Sequence, residues 1–140
     1  MIVYAEPSAV MAWLLGEASG EPVRDVLAGA ERVVTSALTA AECGRSIARG
    51  HREGRITAAE ELAALRLLDV AERNWDVHGL TERVLGRARG AFPAEPVRTL
   101  DALHLATALL LQEAFGRIAM LSFDDRIRSN AGALGFHLPL

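Results

Sequence analysis

The sequence predicts a three-layer α/β/α sandwich with a central, mainly parallel sheet, formed by a single domain over residues 1–140. Three observations point there. Short apolar runs rich in β-branched residues alternate with helical patterns, which implies parallel strands joined by helices on both faces. The length of 140 residues and the 51% hydrophobic content suit one domain with a substantial core. The segment after Thr99 carries Leu100, Leu103, Leu105, Leu109 and Leu110 on nearly every side of a helix, so it should run through the core rather than lie on it.

Ile2–Ala5 is the first predicted strand, ended by Glu6. Pro7 suits the first position of a helix and holds Glu6 extended. Helix is predicted for Ala9–Leu15, stopping near Gly16, and for Val23–Ala28, closed by Gly29. Arg32–Thr35 is the second strand, and Ser36 caps a third helix from Ala37 to about Gly50. Thr57-Ala-Ala-Glu60 is a capping-box pattern opening a helix to Glu72, with Leu62, Leu65, Leu68 and Val70 as its apolar side. The short link His51–Ile56 predicts that these two helices form an antiparallel hairpin. Trp75–Val77 is a short strand, Leu80–Arg89 a helix and Gly90–Arg98, with two prolines, a loop. Thr99 is the expected N-cap of the apolar helix, which runs to about Phe115. Arg117–Ser122 is a strand, Arg126–Leu134 a helix stopped by Gly135, and Phe136–Leu138 a last short strand.

Composition narrows the function classes. A net charge of −3 argues against a general nucleic-acid binder. All fifteen basic residues are nonetheless arginines, whose planar donor fork suits phosphate. A mean hydropathy of +0.19 suggests apolar surface kept for a partner. No stretch reaches the ~18 apolar residues of a membrane helix, and the N-terminus lacks a basic leader region, so a cytoplasmic location is expected. Cys43 is the single cysteine, which leaves no internal disulfide and no cysteine metal cluster.

Four acids fall at comparable points of the predicted fold. Glu6 follows strand one, Glu42 lies on the helix after strand two, Asp101 opens the apolar helix, and Asp124 follows the Arg117–Ser122 strand. In parallel sheets, sites lie beyond the carboxyl ends of strands, so all four can meet at one rim. Crowded carboxylates repel and raise one another's pKa unless a cation or proton intervenes. Hard divalent ions such as Mg²⁺ or Mn²⁺ take oxygen ligands and activate water against phosphodiesters. Singly, each acid also has a structural reading. Asp101 and Asp124 suit helix starts, Glu42 a solvated face and Glu6 a turn, and spacing leaves both readings open.

Other residues carry less. His104, three residues after Asp101, is expected to be packed and hydrogen-bonded rather than a base. His51, His78 and His137 lack ligand spacing, and Cys43 reads as a small buried residue. No glycine-rich nucleotide loop and no G-x-S-x-G elbow occurs. Ser8 and Ser122, beside the acids, suit orienting carboxylates, waters or phosphate.

The chain resembles the PIN-domain family, in particular the VapC-type toxins of bacterial toxin–antitoxin pairs. Leu100-Asp-Ala-Leu-His-Leu-Ala106 is close to the family's third motif, and Ser36 through Glu42 to Arg45 resembles the second. Ser122-Phe-Asp-Asp-Arg126, followed by Ala131 and Leu134-Gly135, resembles the closing motif, and Tyr4-Ala-Glu-Pro-Ser-Ala9 the opening one. The opening motif departs from the pattern: the family usually has aspartate where Glu6 stands and a small hydroxyl residue in place of Pro7. The resemblance implies a Mg²⁺-dependent endoribonuclease, with Mn²⁺ as an alternative ion, inhibited by a cognate antitoxin and commonly dimeric. Glu6, Glu42, Asp101 and Asp124 would hold the metal, with Ser8 and Ser122 in support.

Arg45, Arg49 and Arg52, on or beside the Glu42 helix, are candidate RNA phosphate contacts, with a solvated face as the plain alternative. Met11, Trp13, Leu14 and the helix hairpin are candidate cover for a second copy or an antitoxin helix. Two other readings stay open: a PIN-fold binding module whose first motif has decayed, and a PIN nuclease of RNA processing.

Overall fold

The computed structural model describes residues 1–140. Four strands, β1 (Ile2–Ala5), β2 (Arg32–Ser36), β3 (Asp76–His78) and β4 (Ile118–Leu121), form one sheet in the order β3-β2-β1-β4, every pair parallel. The chain moves outward through β1, β2 and β3, then returns across the sheet to place β4 beside β1. The direction of crossover therefore reverses between β1 and β4, the position where open α/β sheets build their sites.

Seven helices cover the sheet: α1 (Pro7–Leu14), α2 (Gly20–Gly29), α3 (Ala37–Arg52), α4 (Ala58–Asn74), α5 (Glu82–Ala88), α6 (Thr99–Phe115) and α7 (Asp125–Ala131). Side chains alternate across the strands and so divide two cores. Tyr4, Val34, Ile118 and Met120 pack against Ala102, Leu105, Ala108 and Leu111 of α6 and Ile127 of α7. On the other face Ala5 packs with Val10, Cys43, Ile47, Ala64 and Leu68 of α1, α3 and α4. Val3, Ala119 and Leu121 pack with Ala9 and Val23 of α1 and α2. This is the expected three-layer sandwich.

The caps follow local chemistry. The Ser36 hydroxyl accepts from Leu38 N at 3.2 Å, and Thr57 and Glu60 exchange the reciprocal bonds of a capping box. Helix boundaries shift by a few residues from expectation; α1 starts at Pro7 and α7 ends at Ala131. Thr99 is not the cap of α6. It is the first helical residue, and Arg98 is the N-cap, its N–H bonded to Asp101 Oδ2 at 3.3 Å. An acid at the third helical position reaches back to the cap, and this fixes the start one residue early.

The inner side of α4 is Ala64, Leu68 and Ala71, whereas Leu62, Leu65 and Val70 are exposed. Helical spacing puts the buried three on one stripe and leaves the others off it. Leu14 is buried in the protein's own core and Trp13 lies against Trp75, so neither offers an open partner surface. Leu100 at the front of α6 is exposed too. The expected last strand shrinks to a single bridge between Ala119 and His137, because Phe136 turns into the core and Pro139 has no N–H to continue the ladder. No helix is long and apolar enough to cross a membrane.

Candidate active site

β1 ends where Glu6 N–H donates to Leu121 O at 3.0 Å, the last tie across the β1–β4 junction. Pro7 then keeps Glu6 extended (φ −93°, ψ 146°), so its side chain folds over the N-terminus of α1 as a cap. Glu6 Oε2 accepts from Ser8 N at 3.0 Å, from the Ser8 hydroxyl and from the Ser122 hydroxyl at 2.7 Å. Glu6 is 6% exposed. Burial raises its carboxyl above the usual range, against the pull of these hydrogen bonds.

The same serines hold the loop after β4. Phe123 N–H donates to Ser8 Oγ at 2.8 Å, and Asp124 N–H is shared between Ser8 Oγ at 3.1 Å and Ser122 Oγ at 3.0 Å. Asp124 caps α7 through Oδ1, which accepts from Arg126 N and Ile127 N. One hydrogen-bonded group thus joins Glu6, Ser8, Ser122 and the backbone of Asp124.

Asp101 reaches this rim from the first turn of α6, after the loop 90–97. Asn130 of α7, fully buried, fastens that loop by accepting from Ala94 N and donating to Ala94 O. Burial raises the Asp101 carboxyl; the negative charge of Asp124 adds to this, while the bond from Arg98 N and the charges of Arg126 and Arg98 oppose it. Asp101 and Asp124 are therefore close enough to repel.

Glu42 approaches from α3. Its Oε2 accepts from His104 Nε2 at 2.6 Å, and His104 Nδ1 lies 2.8 Å from the Tyr4 hydroxyl. His104 is packed and hydrogen-bonded as expected. Burial, then the charges of Glu6 and Glu42, hold the Tyr4 hydroxyl well above its ordinary pKa. Cys43 is buried between the layers, and burial with the charge of Glu42 pushes its thiol up to about 12. It is an inert core thiol.

The four acids share a hydrogen-bonding pattern. Each uses one carboxylate oxygen for protein hydrogen bonds: Oε2 of Glu6 and Glu42, Oδ2 of Asp101 and Oδ1 of Asp124. The second oxygen of each takes none. No three His, Cys, Asp or Glu side chains are gathered closely enough to hold a metal ion directly. This all-oxygen donor set fits Mg²⁺ or Mn²⁺ held through few protein oxygens and completed by water, and it does not fit an all-protein cage.

Arg45, Arg49 and Arg52, farther along α3 than Glu42, line a hollow of about 310 Å³ with Gly44, Ser46 and Ala48. Arg98 and Arg126, whose charges act on Asp101, are not among the phosphate contacts that the sequence suggested. Their position, three residues before Asp101 and two after Asp124, was the available signal.

A PIN-domain family profile matches residues 3–133. The chain belongs to the PIN-domain family. This PIN domain is 35% identical over 133 residues to Ribonuclease VapC46 of Mycobacterium tuberculosis, covering 95% of this chain and 92% of that one. It is 29% identical over 135 residues to Ribonuclease VapC35 of the same species, with the same shares covered. The family match over residues 3–133 includes all four acids, so the rim of this PIN domain lies inside it.

Proposed function

We propose that this PIN domain is a metal-dependent endoribonuclease toxin of the VapC type that acts on RNA in the cytoplasm and is neutralised by a cognate antitoxin. The reading is supported by similarity along nearly the whole chain to proteins named ribonucleases. The observation that carries it is the set of four carboxylates at the sheet's switch point, each with one oxygen that the protein leaves without a hydrogen bond.

Glu6, Glu42, Asp101 and Asp124 would hold Mg²⁺ or Mn²⁺. When bound, such an ion supplies an acidified water and charge neutralisation at a phosphodiester. The protein's own part is to orient the carboxylates. Ser8 and Ser122 fix Glu6 and the Asp124 backbone, and Asn130 secures the loop that delivers Asp101. Arg98 and Arg126, whose charges act on Asp101, would meet a phosphate beside it, and Arg45, Arg49 and Arg52 would meet backbone phosphate farther along α3. Alanine at a phosphate contact should weaken RNA binding and flatten its salt dependence. Exposed Leu62 and Leu65 on α4 suit a partner surface for the antitoxin helix or a second copy.

The absence of three converging ligands favours a second reading, a PIN-fold binding module without catalysis. One experiment separates the two: cleavage of a mixed RNA pool in Mg²⁺, in Mn²⁺ and in chelator, with Asp101→Asn as control. Metal-dependent cutting lost in Asp101→Asn supports the nuclease. No cutting, with no Mn²⁺ binding by calorimetry, leaves the binding module.

A further inference from the structure

A fully apolar side chain would fill the place of His104 on α6 without polar partners. The imidazole there is 1% exposed, and burying its two nitrogens is unfavourable unless both are bonded. Both are. Nε2 meets Glu42 Oε2 at 2.6 Å and Nδ1 meets the Tyr4 hydroxyl at 2.8 Å. Tyr4 is fully buried, and its ring stands edge-on to the imidazole with centroids 6.1 Å apart.

The donor directions follow from the partners. An ionised carboxylate only accepts, so Nε2 carries the proton that Glu42 receives. In the neutral ring Nδ1 then accepts, and the Tyr4 hydroxyl donates to it. The chain of bonds runs from the buried centre of β1, through α6 on one face of the sheet, to α3 on the other. Glu42 is the least buried end, its side chain 28% exposed. A glutamate so placed has three free torsions, and ordering it costs up to about 2 kcal/mol.

We propose that His104, set by Tyr4, is a positioning residue that holds Glu42 Oε2 and so turns Oε1 toward the rim where substrate and metal bind. The proposal rests on the ribonuclease reading above, which gives Glu42 its task. Partners of this kind, one bond removed from a ligand, fix its orientation.

The test uses the full chain with His104→Leu, His104→Gln and Tyr4→Phe, each also in a Glu42→Gln background. In the metal-free protein, nitrogen NMR of the His104 ring should show the proton on Nε2. His104→Leu should weaken Mn²⁺ binding, read by calorimetry, and lower kcat by about 10- to 100-fold, with KM little changed. His104→Gln, whose amide can still donate to Glu42, should recover part of both. In the Glu42→Gln background His104→Leu should add no further loss, because the effect passes through Glu42. If His104→Leu fails to fold, Tyr4→Phe carries the same comparison with a smaller drop.

Wild-type Mn²⁺ affinity in His104→Leu, equal losses in both backgrounds, or a ring without a proton on Nε2 would each overturn the assignment. A wild-type protein that neither binds Mn²⁺ nor cuts RNA removes the ribonuclease reading itself, and this inference with it. An active wild type with an unaffected His104→Leu removes only the positioning role.

Discussion

Ser8 and Ser122 are the smallest side chains at the rim, and Ser8 has the more bonds to lose. Its hydroxyl donates to the Glu6 carboxylate and accepts from Phe123 N and Asp124 N. A hydrogen bond to a charged group contributes about 1.5–3 kcal/mol net, and one between neutral groups about 0.5–1.5 kcal/mol. Asp124 N keeps Ser122 Oγ at 3.0 Å and Phe123 is partly exposed, so those two donors are not stranded. Ser8→Ala should therefore destabilise the protein by about 2–4 kcal/mol, with the carboxylate bond the larger share. For a chain of this size that corresponds to roughly 8–15 °C in melting temperature. Since the same hydroxyl ties Asp124 to Glu6, RNA cleavage should fall by about tenfold or more as well. Thermal melts followed by circular dichroism, with cleavage assayed well below the melting point, separate the two effects. Ser8→Ala and Ser122→Ala should be non-additive, because they share Glu6 and Asp124. A Ser8→Ala protein that melts within about 0.5 kcal/mol of wild type, the range of an ordinary surface change, would refute the claim that this bridge closes the β1–β4 junction.

Glu6→Gln keeps an oxygen for Ser8 and Ser122 but removes the charge. Burial raises the folded-state pKa of Glu6, so wild type loses stability as pH rises from the ordinary carboxylate range through that raised value. Glu6→Gln should match wild type in acid, melt at or above it near pH 7, and lose most metal-dependent cleavage. Asp101→Asn should show the same sign for the same reason, with a smaller gain because that site is more open to solvent. Gly20→Ala should destabilise by about 1–3 kcal/mol or more, since a Cβ there would lie 2.3 Å from Ala12 O and 2.8 Å from Trp13 Cα, both backbone. Chemical denaturation of Gly20→Ala alone tests that contact between α1 and α2.

The parallel sandwich was legible because its signals are local: β-branched runs at Ile2 and Arg32, caps at Ser36 and Thr57, and an α6 apolar on most sides. Its misreadings have physical causes. Thr99 has the chemistry of a cap, but the acid at Asp101 selects Arg98, a competition that only geometry resolves. Leu62 and Val70 look like core on α4 because composition cannot tell a packed stripe from an unpartnered one. Asp101, Asp124 and Glu6 lie where the sequence put them, after strands or at helix starts. The link from Tyr4 through His104 to Glu42 joins positions 4, 104 and 42, and no spacing rule connects three elements in three layers.

Glu6 is where sequence and structure bear hardest on each other. In the sequence this glutamate reads as a departure from the resemblance, and its bonds show what the methylene beyond aspartate does. Oε2 caps α1 at Ser8 N and also reaches Ser122 Oγ on the far side of the junction. Aspartate can still cap the helix. Its carboxylate, retracted by about one C–C bond of roughly 1.5 Å, would leave Ser122 beyond hydrogen-bond range unless the β4 loop followed. Glu6→Asp should therefore cost about 1–2 kcal/mol, close to the value of the Ser122 bond. It should keep cleavage or alter the ratio of Mg²⁺ to Mn²⁺ activity, since Mg²⁺ tolerates distorted octahedral geometry less well. For the same reason Mn²⁺ should support wild type better than Mg²⁺. The measurement is cleavage of one RNA pool in each metal by wild type, Glu6→Asp and Glu6→Gln, beside their melting temperatures. Should Glu6→Gln cut as fast as wild type, Glu6 is a helix cap alone, and three acids do the work at the rim.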